Sequence, residues 1–361
     1  MVIQRRAHTA RLLVLTGLIS LVGVIIWLGA RRPAILIVHS QNERIPWTQG
    51  IDAGIDRIIQ PASAVRLQRI YLQGQDSAQI AEQVQQTSSF IERWRPDVLM
   101  VIDDLAQARI GATYASKGTP AIVYSGIEDH ERTLAKSPMP QVQGIAERTP
   151  WPIVENSLLR LARLNASSPA SASHRPRIAL ISDTGPAAEE EALGFAQHVW
   201  HSAQPIGMWR CASLEQWLLA LDEIAKRADI VVIGDYRYLQ VPESYSALAW
   251  RRRLAQAALQ HLSQPMTALS AYAVADGIPM GILPSPVEQG EVAAQMALQV
   301  VHRDTPQTQA GIATSHPQHA QTQNFALLLN NEQMTQRELT VDALDAYYAR
   351  VSSRLIGNKQ R

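Results

Sequence analysis

"ILIVHSQNERIPWTQGIDAGID", residues 35–56, begins as an apolar run of strand length and ends with isoleucines at helical spacing. The turn between them is polar and carries Trp47, without the glycines that let a backbone approach a phosphate. A buried strand feeding an amphipathic helix in this way is half of a βαβ unit, the building block of a parallel sheet with helices on both faces. Backbone N–H groups at such a helix start suit a carboxylate or another anionic group, and Trp47 offers a stacking surface.

Outward from this stretch the alternation continues. Strands are expected over 34–40, 65–72, 97–103 ("DVLMVID") and 121–127 ("AIVYSGI"). Helices are expected over 49–59, 77–94 with Asp76 as N-cap, and 105–116 with Gly118 as the stop. Residues 129–150 are polar and proline-marked, 151–164 read as a helix, and 165–176 ("NASSPASASHRP") as a surface loop. A second series then opens with strand 177–183 ("RIALISD") and a helix over 187–203 that aligns Ala192, Phe195 and Val199. It continues with strand 205–211, helix 213–228 opened by a Ser213/Gln216 capping box, and strand 229–235 ("DIVVIGD"). Helix 245–262 and strand 265–272 complete it. In the tail, strand 280–283, helix 286–301, an exposed Gln/Thr/His-rich stretch 305–323, strand 325–329 and helix 340–354 are expected.

Two successive series of this kind predict an α/β protein of two Rossmann-like lobes, each a parallel sheet covered by helices on both faces. Ligands gather outside the carboxyl ends of such strands. Those ends carry Ser40 and Gln41, Asp103 and Asp104, Tyr124 and Ser125, Asp183 and Thr184, Asp235 and Tyr236, and Tyr272. With Trp47 they form the candidate ligand-binding set. Each has a structural alternative. Ser40 and one of the Asp103/Asp104 pair suit helix capping, Trp47 suits packing of its helix on the sheet, and Asp183 and Thr184 suit capping of the next helix.

Composition narrows the function classes. With 33 Lys and Arg against 32 Asp and Glu, the chain has no basic excess to set against nucleic-acid phosphates. Its 46% hydrophobic and 18% charged residues supply a sizeable core. The single cysteine, Cys211, precludes an intrachain disulfide or a thiolate metal cluster. No nucleophile elbow, Walker sequence or Cys/His signature is present, so no catalytic residue, metal or cofactor is assigned. His198 and His201, three apart on an expected helix, and His316 and His319, in an expected loop, read as surface histidines.

Residues 12–30 ("LLVLTGLISLVGVIIWLGA") contain no charge and approach the length that spans a bilayer. Arg5, Arg6 and Arg11 precede them, which favours a cytoplasmic N-terminus. An uncleaved anchor and a cleaved signal segment both remain open, and both place the rest of the chain outside the inner membrane, facing the periplasm.

The segment 277–290, "GIPMGILPSPVEQG", together with the 97–104 strand end and Ser125-Gly126, carries a resemblance. The sequence resembles substrate-binding proteins of ABC transporters with the type 1 periplasmic-binding fold, in the branch whose lobes also occur as sensor regions of signalling proteins. The resemblance implies a first lobe of 34–147 plus 277–304, and a second of 148–276 plus 305–361. It also implies a hinge between the two lobes, a small-molecule ligand held between them, and an ABC permease or membrane sensor protein as partner; the acidic rims with their aromatic residues favour an amino-acid-like ligand or an aromatic amine. An exported α/β enzyme using the Asp103–Asp104 pair, and a ligand-free scaffolding protein, are the alternative readings.

Overall fold

The computed structural model describes residues 32–62, 65–73, 77–127, 141–165, 175–302 and 319–355, together with Leu18 and Leu21. The expected anchor (apart from those two leucines), the Asp76 cap and His316 lie outside the described residues. Among those described, no helix is long and apolar enough to cross a membrane.

The first series builds β1 (Ala34–His39), α1 (Pro46–Ile59), β2 (Arg66–Tyr71), α2 (Ser77–Trp94) and β3 (Val98–Ile102). After these come α3 (Asp103–Ala106), a π-helical turn (Gln107–Gly111), α4 (Ala112–Ala115), β4 (Ala121–Ile127) and β5 (Val142–Ala146). The second series runs α5 (Trp151–Leu164), β6 (Arg177–Ser182), α6 (Pro186–Gln197), β7 (Gln204–Arg210), α7 (Leu214–Arg227), β8 (Ile230–Ile233), α8 (Ala247–His261), β9 (Met266–Ala268), α9 (Ala271–Asp276) and β10 (Met280–Pro284). The tail adds α10 (Pro286–His302), β11 (His319–Gln321), β12 (Phe325–Leu329), α11 (Asn331–Gln336) and α12 (Ala343–Leu355).

The strand orders are β11-β5-β4-β3-β1-β2 and β12-β10-β9-β8-β6-β7. Both sheets thus have the same doubly wound order, with the reversal between β1 and β3 in one and between β6 and β8 in the other. β12 runs antiparallel to β10, and the other pairings are parallel. Strands β1, β3 and β8 are buried along their whole length, which is why each reads as a continuous apolar run rather than an alternating one.

Among the described residues, three segments cross between the lobes: residues 147–150 after β5, Ser285 after β10, and 322–324 between β11 and β12. This corrects the expected boundaries. The segment 277–304 is divided, because β10 extends the second sheet while α10 packs along α1 of the first lobe. Within 305–361, β11 joins the first sheet beside β5. Several local expectations also change. β5 and β11 are strands within stretches read as polar connections. The helix from Pro186 ends at Gln197, so Val199 is 68% exposed and His198 and His201 share no helical face. Tyr272 lies in the first turn of α9, not on a strand. Ser213 does open α7, its side chain accepting from the Gln216 N–H, and Gln216 Oε1 accepts from the Ala212 N–H.

α1 and α10 cross at glycines. A Cβ on Gly290 would sit 2.0 Å from the Ile51 carbonyl oxygen, and one on Gly54 would sit 2.1 Å from that of Val287. The final glycine of "PSPVEQG" therefore permits backbone-to-backbone contact between the helix that leaves the hinge and the helix that follows Trp47.

Candidate functional site

The carboxyl ends of the two sheets share one cleft of about 1120 Å³. The first lobe contributes Ser40, Gln41, Trp47, Asp103, Asp104 and Gly126 to its lining, and the second contributes Asp235 and Tyr272 among others. Seven of the twelve candidate residues therefore line the cleft: Ser40, Gln41, Trp47, Asp103, Asp104, Asp235 and Tyr272.

On the first lobe, three chain ends converge. α1 begins at Pro46, whose ring fixes φ at a helix start and so sets Trp47 in the first turn. The Trp47 indole Nε1–H donates to Asp103 Oδ1 at 2.9 Å. Asp103 follows β3 with φ of 65°, a left-handed conformation that costs energy in a residue with a Cβ. Gly126, with φ of 66°, ends the neighbouring strand, and a Cβ there would meet Asp103 Oδ1 at 2.5 Å. Ser40 is committed to structure as well as to the lining. Its hydroxyl donates to the Ile102 carbonyl at 2.7 Å and accepts from the Ala106 N–H at 2.8 Å, tying β1 to α3.

On the second lobe, Asp235 is the anchor. Its Oδ1 accepts from the Arg237 N–H at 2.7 Å and the Tyr272 hydroxyl at 2.9 Å, and its Oδ2 accepts from Arg237 Nε at 2.8 Å. The Arg237 and Arg251 guanidinium groups lie 5.3 and 4.9 Å from the Tyr272 ring centre. Burial, first, and the Asp235 charge hold the Tyr272 hydroxyl well above its ordinary pKa, so it remains a neutral donor.

The other five candidates fall outside the lining. Tyr124 is buried, its hydroxyl 2.7 Å from His319 Nδ1. The Ser125 hydroxyl is within the hinge network described below. Asp183 is buried, its Oδ1 accepting from the Gly185 N–H at 2.7 Å and its Oδ2 from the Tyr238 N–H at 2.6 Å, which pins the turn before α6 to the loop after β8. Thr184 is exposed beside it. Tyr236 is buried and donates to Asp276 Oδ2 at 3.2 Å. Cys211 is buried too, and burial followed by the Asp183 charge pushes its thiol up to about 11, out of the range of a neutral-pH nucleophile.

Several lining residues escape a reading based on strand ends. Glu147 and Arg148 lie on the first crossover, after the unrecognised strand β5. Ala187, Glu190, Glu191, Gly194 and Gln197 line the cleft from one stripe of α6. Their spacing of three, one, three and three was the available signal: one helical stripe that carries Glu190, Glu191 and Gln197, opposite the buried Ala188, Ala192 and Phe195. Arg148 Nη2 lies 3.7 Å from Glu190 Oε2, joining crossover to facing lobe.

At the cleft margin, buried Glu155 gathers the turn after α6. It accepts from the N–H groups of His201, Ser202 and Ala203 at 2.9, 2.6 and 3.1 Å, and lies 2.9 Å from His198 Nε2. Burial raises its carboxyl, but the Ser202 N–H, His198 and the Ala203 N–H outweigh that and hold it below the usual range. A depressed carboxyl adds stability that is fully present above its unfolded value of about 4.3 and is lost as pH falls through the folded one. Urea unfolding at pH 7 and pH 3 should therefore find Glu155→Gln less stable than the parent by about 1–2 kcal/mol at pH 7, with the gap narrowing at pH 3.

Three crossings meet in a buried amide network. Gln289 Nε2 donates to Thr322 Oγ1 at 2.8 Å and to the Ala146 carbonyl at 3.2 Å. Its Oε1 accepts from the Gly126 N–H at 2.9 Å and the Ser125 hydroxyl at 3.1 Å. Glu288 beside it accepts from the N–H groups of Gln323 and Asn324, at 3.0 and 2.7 Å. The Glu-Gln pair of "PSPVEQG" thus braces the first and third crossings from the helix that follows the second.

No family model and no curated protein matches the chain. Solved structures do. A ligand-free, open substrate-binding protein with adhesive properties from Clostridium difficile aligns with TM-score 0.59 at 10% identity, over 86% of this chain and 96% of that one. A conserved domain protein from Vibrio cholerae aligns with TM-score 0.54 at 16% identity, over 88% and 99%. An ABC domain from Streptococcus pneumoniae, in complex with L-Trp, aligns with TM-score 0.53 at 11% identity, over 87% and 98%. At these identities the likeness concerns architecture: the chain shares the fold of these solved structures over most of its length.

Proposed function

We propose that this chain is an extracytoplasmic solute-binding protein, tethered to the inner membrane through residues 12–30, that closes its two lobes on a small molecule and presents it to an ABC permease or a membrane sensor protein. One observation carries the reading: the strand ends at both topological reversals open into one cleft, and among the described residues short crossings of the chain join the lobes around it. Crevices at such reversals are where ligands of doubly wound sheets bind, and short crossings permit hinge closure. The similar solved structures, described as substrate-binding or as holding L-Trp, favour the same reading. Among the described residues, no group of three or more metal-ligating side chains converges, and Asp103 is engaged by the Trp47 indole.

The test is a thermal-shift screen of residues 33–361 against amino acids, amines, purines, sugars and peptides. A solute at about 100 times its dissociation constant stabilises by roughly 2.7 kcal/mol, which for a chain of this size moves the midpoint by several degrees. A flat response across the whole set would contradict the proposal, and turnover of a solute would replace it with an enzyme.

A further inference from the structure

The amino ends of the first sheet gather a set of arginines. Arg32 precedes β1, Arg66 opens β2, and Arg93 and Arg95 flank Trp94 where α2 ends ahead of β3. Contacts hold these ends together. Arg66 Nε donates to the Arg32 carbonyl at 3.3 Å, and the Arg66 guanidinium lies 5.4 Å from the Trp94 ring centre. Arg32, Arg93 and Arg95 are exposed, and Arg66 and Trp94 are half-buried. Among the described residues, none of these four arginines makes an ion pair with a carboxylate. The acids nearby have other work. Asp97 Oδ2 accepts from the Ala34 N–H at 2.7 Å, and Glu92 is paired with Lys117 at 3.1 Å. At the corresponding end of the second sheet, Arg177 and Arg227 are instead paired with Asp229 and Glu223.

The lobe with this basic face is also the one that follows the apolar segment. Arg31, Arg32 and Pro33 alone separate Ala30 from β1. Four steps of chain, at about 3.6 Å each, reach at most about 14 Å. A membrane holding residues 12–30 therefore lies within that distance of the amino end of β1. This is under two Debye lengths at physiological salt, about 8 Å each, so headgroup charge reaches the face.

From this we infer that the face of Arg32, Arg66, Arg93, Arg95 and Trp94 docks on the anionic phospholipid headgroups of the membrane that holds residues 12–30. Guanidinium groups take phosphate oxygens in pairs, and an indole suits the level of the headgroups. The contact sets a pose. β1, six residues long, rises from the bilayer, so the cleft at its far end opens about 20 Å above the surface. The second lobe is then the one that swings on closure. The inference rests on the tethered solute-binding reading above and adds how the tethered protein stands.

The experiment places the full chain in nanodiscs of phosphatidylglycerol or of phosphatidylcholine, each with an acceptor dye on a headgroup. A donor dye is attached at Gln60→Cys, exposed at the end of α1 on the same side of the lobe, or at Leu193→Cys, 46% exposed on α6 of the second lobe. Energy transfer from Gln60→Cys should be about twofold higher in phosphatidylglycerol than in phosphatidylcholine. It should fall to the phosphatidylcholine value in high salt, and in the Arg93→Gln/Arg95→Gln variant. Transfer from Leu193→Cys should stay below that from Gln60→Cys in both lipids. Both arginines are exposed, so the double variant should melt as the parent does. If it melts early, the salt response of the parent decides. Equal transfer in the two lipids, indifference to salt, an unaltered value in a stably folded double variant, or stronger transfer from Leu193→Cys would each overturn the inference and leave the tether and solute binding intact. A chain that does not stay with the discs would overturn it together with the tether, while the thermal-shift screen would still decide solute binding.

Discussion

Replacing Gln289 by Leu is expected to destabilise the protein by about 3 kcal/mol or more, the largest effect of any single side chain at the hinge. The two residues are close in volume, so the loss is not one of packing. What disappears is the amide that satisfies Ser125, Gly126, Ala146 and Thr322 at once. Removing one partner from a buried polar pair leaves the other desolvated, at roughly 1–3 kcal/mol per group, and here several groups share one partner. Thr322 and the Ala146 carbonyl keep a hydrogen bond to each other at 3.1 Å, which limits the loss on that side. Chemical denaturation measures the stability. Gln289→Glu, which keeps the acceptor but loses the donor, should fall between Leu and the parent near neutral pH. A Leu variant within about 0.5 kcal/mol of the parent, the range of an ordinary surface substitution, would show that the network does not brace the crossings.

Replacing Gly290 by Leu should have a comparable effect for the opposite reason. There the partner is backbone: the new Cβ would lie 2.0 Å from the Ile51 carbonyl oxygen, and no rotamer moves a Cβ. α1 and α10 must separate, and the buried layer of Ile51, Ile55, Ala293 and Ala294 between them loosens. Overpacking of this kind typically costs about 1–3 kcal/mol, and more when the obstacle cannot turn aside. Gly290→Ala should show most of that loss, because the clash begins at Cβ. Since α1 carries Trp47 in its first turn, the variant should also shift the Trp47 environment. Comparing tryptophan fluorescence of Gly290→Ala with that of Gly290→Ala/Trp47→Phe reads this. An Ala variant as stable as the parent would mean that the helices are farther apart than described.

The same two residues show what sequence reading yields and where it stops. Gly277–Gly290 stands out as a motif, and its neighbouring strand and helix are evident from their periodicity. Nothing local, however, reveals that the strand belongs to one sheet and the helix to the other lobe. That assignment depends on pairing with β9 and β12 and on packing against α1, contacts that no short window of the sequence contains. The buried strands β1, β3 and β8 announce themselves because both faces are covered. β5, "VQGIA", and β11, "HAQ", do not, because each is short and interrupted by small or polar residues. Missing β5 hid Glu147 and Arg148, which follow it into the cleft.

Strand ends were a sound guide to the neighbourhood of the site and a poor guide to orientation within it. Ser40, Asp103 and Asp235 follow strands beside the reversals and line the cleft. Tyr124 and Ser125 come from the end of β4, but their side chains are buried in other contacts. Asp183 follows β6, yet both carboxylate oxygens are taken by backbone N–H groups. A one-residue change in alternation separates a lining side chain from a packed one, and strand boundaries read from sequence are no finer than that.

The central claim is that two lobes close on a solute held between them, and distance across the cleft measures it directly. Arg44 is exposed at the first-lobe margin, and Leu193 is 46% exposed on the facing helix. Spin labels on Arg44→Cys and Leu193→Cys report the span by pulsed electron resonance, while buried Cys211 stays unmodified. Adding the solute that gives the largest thermal shift should shorten the distance and narrow its distribution. An unchanged distribution at saturating solute would contradict the account.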